Sequence, residues 1–345
     1  MFKRSETRQV KVGNLIIGGE NRVIIQSMTK SRTKDVLATV QEILELESIG
    51  VELVRCAVLD ERDANAISEI VKFIHIPLVA DIHFDYKLAI KSLENGASKI
   101  RINPGNISKR EDIIKLVEEA QKKRVPIRIG INSGSLPEVN DTNLNKYVLA
   151  AKLHIDILES LNFRDIIVSL KASNIEETIE ANIEFAKLYD YPLHLGLTEA
   201  GDLLSGTVKS TIGLSKLLEL GLGNTIRVSL SSTSLNEVKV TKQILKSHNL
   251  LDNYVELISC PTCGRCEYNT FLIINEISDY IHHLKKNLKV AIMGCVVNGI
   301  GEGKNADIGI AFGKDSGLLF IKGEVIKKID VRDAINILKE EINKF

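Results

Sequence analysis

Short apolar runs alternate with helical patterns along the first 250 residues of the chain. The helical patterns resemble that of Val36, Val40, Ile43 and Leu44, whose spacing places them on one face of a helix that ends before Gly50. Eight β-branched runs are predicted to be strands: RVIIQSM (22–28), VELVRCAV (51–58), IPLVADIHF (76–84), SKIRINP (98–104), VPIRIGIN (125–132), DIIVSLK (165–171), YPLHLGL (191–197) and TIRVSL (225–230).

Eight strand-helix units in succession predict an α/β fold with a parallel sheet, because each parallel connection needs a crossover helix. Eight is also the number of strands at which such a sheet closes, so we expect a (β/α)8 TIM-type barrel. An open doubly wound sheet is the alternative, and it is disfavoured because no glycine fingerprint for a dinucleotide opens the first unit.

The pattern changes after residue 250, and we predict a small α+β domain over residues 251–345 behind a barrel domain over residues 1–250. A short strand leads into a cysteine-rich loop, followed by a helix from about 267 to 286. The segment KVAIMGCVVNG predicts a second strand and a glycine-rich turn. A strand pair around SGLLFIKGEVIKKI and a helix from 331 complete the domain.

Composition places the chain among ordinary globular proteins, with 44% apolar and 26% charged residues. The 45 basic and 45 acidic residues balance, which gives no reason to expect nucleic acid or a membrane surface as a partner. The first residues, MFKRSETRQV, lack the apolar region of a signal peptide, and no long apolar run predicts a membrane span. A cytoplasmic location is therefore expected.

Charged and polar residues stand at the carboxyl ends of the predicted strands, where barrel active sites lie. The basic ones outnumber acidic candidates such as Asp81 and Glu199, so we expect a ligand with more than one negative charge, diphosphate above all. His83 and His194 are either core histidines or donors to this ligand. The polar loop 133–146 is either a lid or an ordinary surface loop. The candidate ligand-binding residues are Arg55, Arg101, Asn103, Arg128, Asn132, Lys171, Arg227 and Ser229.

Four of the five cysteines indicate a metal centre. Cys260, Cys263 and Cys266 have C-x2-C-x2-C spacing, and Cys295 follows a later strand; this pattern suits an iron-sulfur cluster or a zinc ion. Seven residues beyond Cys295, Glu302 is either an oxygen ligand to an exchangeable iron or a solvated surface residue. Cys56, on a predicted strand next to Arg55, is expected to pack in the core.

Several motifs together resemble one enzyme family. SCPTC, GCVVNG-x-GE, RINPGN, PLHLGLTEAG, VADIHFDY, VSLKAS and the strand end QSMT span residues from about 10 to about 310. They are similar to the 4-hydroxy-3-methylbut-2-enyl diphosphate synthases, iron-sulfur oxidoreductases of EC class 1.17.7 in the methylerythritol phosphate route to isoprenoids. In this chain Ile300 stands where the family's glycine-rich turn carries proline, and Cys266 stands outside the family pattern.

The resemblance implies a reaction and a set of residues. The reaction is the two-electron reductive opening and dehydration of 2-C-methyl-D-erythritol 2,4-cyclodiphosphate, with ferredoxin or flavodoxin as electron donor and a homodimer that shares the site between subunits. By motif, Cys260, Cys263 and Cys295 would hold a 4Fe-4S cluster with Glu302 on its fourth iron. Arg55, Arg101, Arg128 and Lys171 would bind the diphosphate, and Glu199 would be the catalytic carboxylate.

Two other classes fit parts of the sequence. A methyl-transferring barrel of the dihydropteroate synthase type with a structural zinc domain would explain DIHFD and INPGN. An electron carrier fused to a barrel scaffold would need all four clustered cysteines as ligands. Metal content distinguishes them, because iron with sulfide colours a protein brown and zinc leaves it colourless.

Overall fold

The structure of the chain is a computed structural model. It describes residues 1–83, 85–102, 109–136, 144–266 and 268–345. Two compact units make up the chain, Met1–Leu250 and Leu251–Phe345. No helix in these described ranges is long and apolar enough to cross a membrane.

The first unit contains an eight-stranded parallel barrel, which confirms the predicted fold class. Neighbouring strands pair in chain order, the last strand pairs with the first, and a bridge between Val168 and Leu193 closes the ring. The strands are β3 (Ile24–Met28), β4 (Leu53–Val58), β5 (Leu78–Ile82), β6 (Lys99–Ile102), β7 (Ile127–Asn132), β8 (Ile166–Lys171), β9 (His194–Leu195) and β10 (Thr225–Ile226). The last two are shorter than the sequence predicts.

One helix follows each barrel strand, as the alternating pattern predicts. These helices are α1 (Val36–Ser48), α2 (Glu61–Ile70), α3 (Tyr86–Glu94), α4 (Arg110–Lys123), α5 (Lys146–Ser160), α6 (Ile175–Leu188), α7 (Leu203–Glu219) and α8 (Ser234–Ser247). Carboxylates cap the amino-terminal ends of some of them. Asp60 accepts from the backbone N–H groups of Arg62 and Asp63 at α2, and Asp202 accepts from those of Leu204 and Ser205 at α7.

An N-terminal hairpin, β1 (Val10–Val12) and β2 (Leu15–Ile17), packs against the amino-terminal ends of the barrel strands. Its buried residues meet Ile24, Leu53 and Val79 in one apolar cluster. Each large aliphatic side chain buried this way contributes about 1.5–3 kcal/mol. The amino-terminal end of the barrel is thus packed with apolar side chains. The polar side chains of the barrel interior lie deeper inside it and at the opposite, carboxyl-terminal end.

The second unit is a five-stranded mixed sheet. Its elements are β11 (Val255–Ser259), α9 (Thr270–Ile281), β12 (Leu288–Met293), α10 (Val296–Gly303), β13 (Ile308–Phe312), β14 (Ser316–Ile321), β15 (Glu324–Asp330) and α11 (Ala334–Lys344). The first three strands are parallel and the last two are antiparallel additions. Helix α9 is shorter than the predicted 267–286; on its apolar face Ile273, Ile277 and Ile281 are buried, and Ile274 is half-buried.

The predicted glycine-rich turn after Cys295 is wrong, because the segment forms helix α10. The glycines of α10 allow the helix to pack closely against the sheet and do not form a turn. A Cβ on Gly299 would lie 2.8 Å from Met293 Cβ and 2.9 Å from Ala311 Cβ, and one on Gly303 would strike the ring of Phe320. The helix therefore lies closer to the sheet than side chains would allow, and this packing outweighs the low helix propensity of glycine.

Candidate active site

Cationic side chains fill the carboxyl-terminal end of the barrel interior. Arg101, Arg128 and Lys171 lie on β6, β7 and β8 and are 4%, 1% and 6% exposed. Arg55 on β4 is 11% exposed in its side chain, and Arg227 just after β10 is 12% exposed. Buried arginines and lysines are rare unless paired. The barrel strands thus bring together five basic residues that were predicted from the sequence to bind the ligand.

Asp81 on β5 organises one side of this layer. Its carboxylate accepts from Arg101 Nη1 at 3.1 Å, and it lies 3.7 Å from Arg55 Nε and 3.4 Å from His83 Nε2. Burial by itself would raise the pKa of Asp81, but the surrounding cations, Arg55 first among them, hold that pKa well below its usual range. Asp81 is therefore an anion that orients cations.

A second carboxylate, Glu237 on α8, binds cations on the other side of this layer. It accepts from Arg227 Nη2 at 3.3 Å, from Lys30 Nζ at 3.1 Å and from the Leu230 N–H at 3.0 Å, and it is 2% exposed. Met28 adds a soft acceptor, since its sulfur lies 2.9 Å from Arg55 Nη2. Sequence reasoning missed Glu237, because a glutamate one turn into a helix carries no local sign of burial.

Arg128 has no such carboxylate partner within hydrogen-bond distance among the described residues. Its Nε and Nη1 atoms are buried without a hydrogen-bond acceptor among the described residues. Burial, and then the nearby Arg55 and Arg101, lower the pKa of Arg128 well below its usual range. Burial likewise lowers the pKa of Arg227 to about 10. A buried guanidinium without an anion is costly to the fold, so its position indicates that an anionic ligand supplies the missing acceptors.

Two glycines make room for these side chains. A Cβ on Gly130 would lie 2.5 Å from Arg101 Nε, and one on Gly196 would overlap Lys171 Nζ. Burial, followed by Arg128 and Arg55, lowers the pKa of Lys171 well below its usual range. The cations of the layer outnumber the carboxylates beside them, Asp81 and Glu237. The electrostatics thus favour a multiply charged anion at this end of the barrel.

The remaining predicted ligand-binding residues are divided. Asn132, at the end of β7, accepts from Arg101 Nη2 at 3.3 Å in the amide orientation that satisfies both of its polar atoms. His83 is 39% exposed beside Asp81, and His194 is fully buried, with Nδ1 2.8 Å from Thr225 Oγ1. Ser229 is half-buried two residues after Arg227. Asn103 and residues 137–143 of the predicted lid lie outside the described residues.

Glu199 is exposed in the segment after β9 and has a φ of 55°. This left-handed conformation costs a non-glycine residue of order 1 kcal/mol and concentrates at functional sites. Gly201, with a φ of 112°, follows it and continues the turn into α7. The strained turn therefore holds a carboxylate at the end of a barrel strand.

The cysteine-rich loop of the second unit joins β11 to α9. The backbone N–H of Gly294 donates to Cys260 Sγ at 3.1 Å, and the Cys266 thiol donates to the Tyr268 carbonyl at 3.3 Å. Cys263 is exposed, and Cys295 is half-buried at the start of α10. In the part of the chain that the structure describes, no three Cys, His, Asp or Glu side chains already stand at metal-ligand spacing.

The donor set nevertheless fits an iron-sulfur cluster. Cysteine sulfurs are the ligands that such clusters take, and an N–H group directed at a sulfur stabilises it as a ligand. Gly294 keeps a cradle open between the loop and β12, because a Cβ there would overlap Cys266 Sγ and lie 3.4 Å from Cys260 Sγ. A thiol-lined cradle with a backbone donor indicates a metal centre.

Glu302 lies on α10 rather than in a turn, and it is exposed. Seven residues separate it from Cys295, which corresponds to two helical turns and roughly 10 Å along the axis. Cys295 is the extended residue directly before this helix, so the two residues lie at the start and near the end of one short element.

Cys56 differs from the other four cysteines. It is 0% exposed on β4, and burial raises the pKa of its thiol to about 12. The prediction that it packs in the core is confirmed.

Replacing Gly294 by alanine should lower iron and sulfide content several-fold, because the added Cβ displaces the Cys266 thiol and with it the loop. Metal and sulfide analysis of purified protein measures this effect. Gly264→Ala is the matched control, since no atom lies within 4 Å of a Cβ at that position. A Gly294→Ala/Cys266→Ala double variant should recover cluster content; equal loss in the double variant would contradict the steric explanation.

Two family models together cover most of the chain. Residues 7–242 match the GcpE TIM-barrel domain, and residues 256–344 match the GcpE protein C-terminal domain. The chain belongs to the GcpE family. The domain with the buried cations and the domain with the cysteine-rich loop thus both match this one family.

GcpE relatives align with the chain over nearly its whole length. A protein of Geobacillus thermodenitrificans is 54% identical over 352 residues, covering 100% of this chain and 93% of the relative. One of Bacillus pumilus is 54% identical, covering 99% and 94%. Both are named 4-hydroxy-3-methylbut-2-en-1-yl diphosphate synthase (flavodoxin). The resemblance seen in the sequence motifs is therefore confirmed.

Solved structures of other proteins share the barrel of this GcpE chain. Dihydropteroate synthase of Thermus thermophilus superposes with a TM-score of 0.54 at 13% identity, covering 71% of this chain and 100% of that one. The Yersinia pestis enzyme gives 0.51 at 14% identity, covering 70% and 98%. At this identity the likeness shows the fold alone. The alternative function of the dihydropteroate synthase type is not favoured, because the full-length relatives are named for another reaction.

Proposed function

We infer that this GcpE protein is an oxidoreductase that converts 2-C-methyl-D-erythritol 2,4-cyclodiphosphate to 4-hydroxy-3-methylbut-2-enyl diphosphate. The C2–O bond to phosphate breaks, the C3 hydroxyl leaves as water, and a C2=C3 double bond forms. Two electrons and one proton enter, so the dianionic substrate becomes a trianionic product. The observation that carries this proposal is the layer of buried cations, which outnumber their carboxylate partners among the described residues, in a chain 54% identical to named synthases.

The cationic layer binds and orients the cyclic diphosphate. Arg128, Lys171 and Arg55 take phosphate oxygens, and the guanidinium forks suit two oxygens at once. Asp81 and Glu237 keep Arg101 and Arg227 directed into the barrel. When the ring opens, a phosphate oxygen gains negative charge, and preoriented cations stabilise that charge without rearrangement. Asn103, Asn132, Ser229, His83 and His194 complete the proposed ligand contacts.

Cys260, Cys263 and Cys295 are the proposed cluster ligands, with Glu302 as the fourth. When bound there, a 4Fe-4S cluster supplies electrons and one exchangeable iron site. Gly294 donates its N–H to Cys260 and leaves the cradle open, and Glu302 stands on α10, the helix that begins directly after Cys295. Cys263 joins the set from its exposed position on the loop.

Ferredoxin or flavodoxin supplies the electrons in this proposal, and the relatives' names include flavodoxin. The active form is a homodimer in which the site is shared between subunits. The enzyme works in the cytoplasm on a small-molecule substrate, without nucleic acid or membrane as a partner.

Glu199 is the proposed catalytic carboxylate, which gives a proton to the departing C3 hydroxyl. Glu199→Gln keeps the shape but removes the proton donor, so kcat should fall by about 10²- to 10⁴-fold with KM little changed. The assay is substrate-dependent, anaerobic oxidation of reduced methyl viologen by cluster-replete protein. Exposed Glu219→Gln, at the end of α7, is the matched control and should leave kcat unchanged.

The same assay tests the proposed function. Oxidation of two viologen radicals for each cyclic diphosphate consumed is the expected result. A cluster-replete sample that leaves reduced viologen unconsumed when the cyclic diphosphate is added would overturn the proposal. Undiminished kcat in Glu199→Gln would overturn only the role of that carboxylate.

A further inference from the structure

A second polar layer lies inside the barrel beneath the arginines. Lys99 is 0% exposed, His194 is 0% exposed and Gln26 is 1% exposed. Lys99 Nζ, His194 Nε2 and both polar atoms of the Gln26 amide have no hydrogen-bond partner among the described residues. Buried polar atoms are paired in the great majority of cases. A layer of several unpaired ones therefore calls for a functional explanation.

Strand geometry places Lys99 in the barrel interior. Side chains two residues apart on a strand share a face, so Lys99 lies on the same face of β6 as Arg101, one layer deeper. Arg101 reaches Asp81 on the neighbouring strand from this face. The Lys99 amine is thus a buried group directly below the anion-binding layer.

Charged groups stand on the strands around this amine. Burial, then Arg128 and then Arg55 lower the pKa of Lys99 well below its usual range. Burial lowers the pKa of His194 in the same way, and Lys171, Arg128 and Lys99 add to the effect. The groups of the surrounding strands are Arg55 on β4, Asp81 on β5, Arg101 on β6, Arg128 on β7, Lys171 on β8, His194 on β9 and Arg227 after β10.

We propose that Lys99 takes up one proton from solvent when the cyclic diphosphate binds above it, so that the bound anion rests on a cation that forms only in the complex. This rests on the proposed function, because the anion is its substrate. Burial first, and then repulsion from Arg128 and Arg55, disfavour the charged form of the amine in the free barrel, and the dianion offsets that repulsion. The ammonium then faces the additional negative charge that ring opening creates.

The physical advantage lies in the free enzyme. A permanently charged Lys99 would add another unpaired buried cation to a layer that already contains them, at a cost to folding. A neutral amine avoids that cost until the ligand arrives. The sign of the linkage follows: binding takes up a proton, so affinity is highest at low pH and falls as pH rises through the pKa of Lys99 in the complex.

Isothermal titration calorimetry of the oxidised, cluster-replete protein tests this proposal, with the cyclic diphosphate as ligand and no reductant present. Each phosphorus of this ligand carries a single strongly acidic oxygen, so the ligand itself does not titrate near neutral pH. Binding enthalpies in buffers of different ionisation enthalpy give the number of protons taken up. The parent protein should take up about one proton per site at pH 8.

Lys99→Met should bind about 10- to 100-fold more weakly and take up no proton, since one charged contact to the ligand is lost. Gln26→Leu, a change at an uncharged residue of the same layer, is the matched control and should keep the proton uptake. Uptake that disappears in His194→Gln and persists in Lys99→Met would overturn the assignment. A thermal melt checks that the three variants fold.

The parent protein alone also tests the idea through the pH dependence of its affinity. Between the pKa of Lys99 in the free protein and its higher pKa in the complex, the dissociation constant should rise about tenfold per pH unit, and above the second value it should level off. Ligand binding that is independent of pH and takes up no proton would overturn the role of Lys99 while leaving the proposed function intact. Absence of any binding would overturn the proposed function and this inference with it.

Discussion

Arg128→Met should melt at a higher temperature than the parent protein and yet lose most of its turnover. Arg128 is 1% exposed, and two of its guanidinium atoms lack an acceptor among the described residues. Replacing such a charge with an apolar side chain of similar length stabilises a fold by about 1–4 kcal/mol. For a unit of this size each kcal/mol raises Tm by roughly 2–4 °C, which differential scanning calorimetry without ligand measures.

The turnover of Arg128→Met should fall although its melting temperature rises. Loss of a preoriented cation from the diphosphate site should lower kcat/KM by about 10²- to 10³-fold. Exposed Arg164, just before β8 at the amino-terminal end of the barrel, supplies the control, and Arg164→Met should change neither quantity. An Arg128→Met protein that is destabilised and fully active would show that the guanidinium serves the fold instead of the ligand.

Cys263→Ser should abolish both cluster and turnover, whereas Cys266→Ser should retain both. The two residues flank Gly264 and Arg265 on one loop, so the pair of variants separates ligation from general damage to the loop. The Cys266 thiol already donates to the Tyr268 carbonyl, and Cys263 is exposed with its thiol toward solvent. Serine is a poor ligand for a cluster that takes thiolates. Iron and sulfide analysis, followed by the viologen assay, measures the outcome.

The opposite result would reassign the metal centre. Loss of iron from Cys266→Ser with retention in Cys263→Ser would make Cys266 the third thiolate, which its proximity to Gly294 would then explain. Loss from both variants would indicate that all four clustered cysteines are ligands, as in a closed electron-transfer centre. The first pattern would contradict the assignment of Cys263, and the second would contradict that of Glu302.

The barrel was predictable because its signal is repeated. Seven of the eight predicted strands are β-branched runs, and each strand is followed by an apolar pattern with helical spacing, so an error at one unit does not alter the count. The ends of β9 and β10 were less predictable, because only two residues of each strand pair with the neighbouring strands. These are His194–Leu195 and Thr225–Ile226. Helix α10 was missed because its glycines contradict helix propensity locally, and only the sheet beneath them explains their presence.

The cationic layer was predictable from a mismatch between residue type and position. An arginine inside an apolar parallel strand is conspicuous in sequence, and a barrel brings all such strand ends together. Lys99 carries the same signal but is easily overlooked, because it stands at the start of its strand, away from the expected mouth. Glu237 was beyond prediction, since only the tertiary structure shows that its helix turns it inward to Arg227.

Phosphorus NMR of the cyclic diphosphate, incubated anaerobically with reduced, cluster-replete protein, shows whether this protein opens the diphosphate ring. We expect the signals of the cyclic diphosphate to give way to those of a linear diphosphate, and the rate to fall in Glu199→Gln. Persistence of the cyclic signals in the presence of brown, reduced and folded protein would contradict the proposed function.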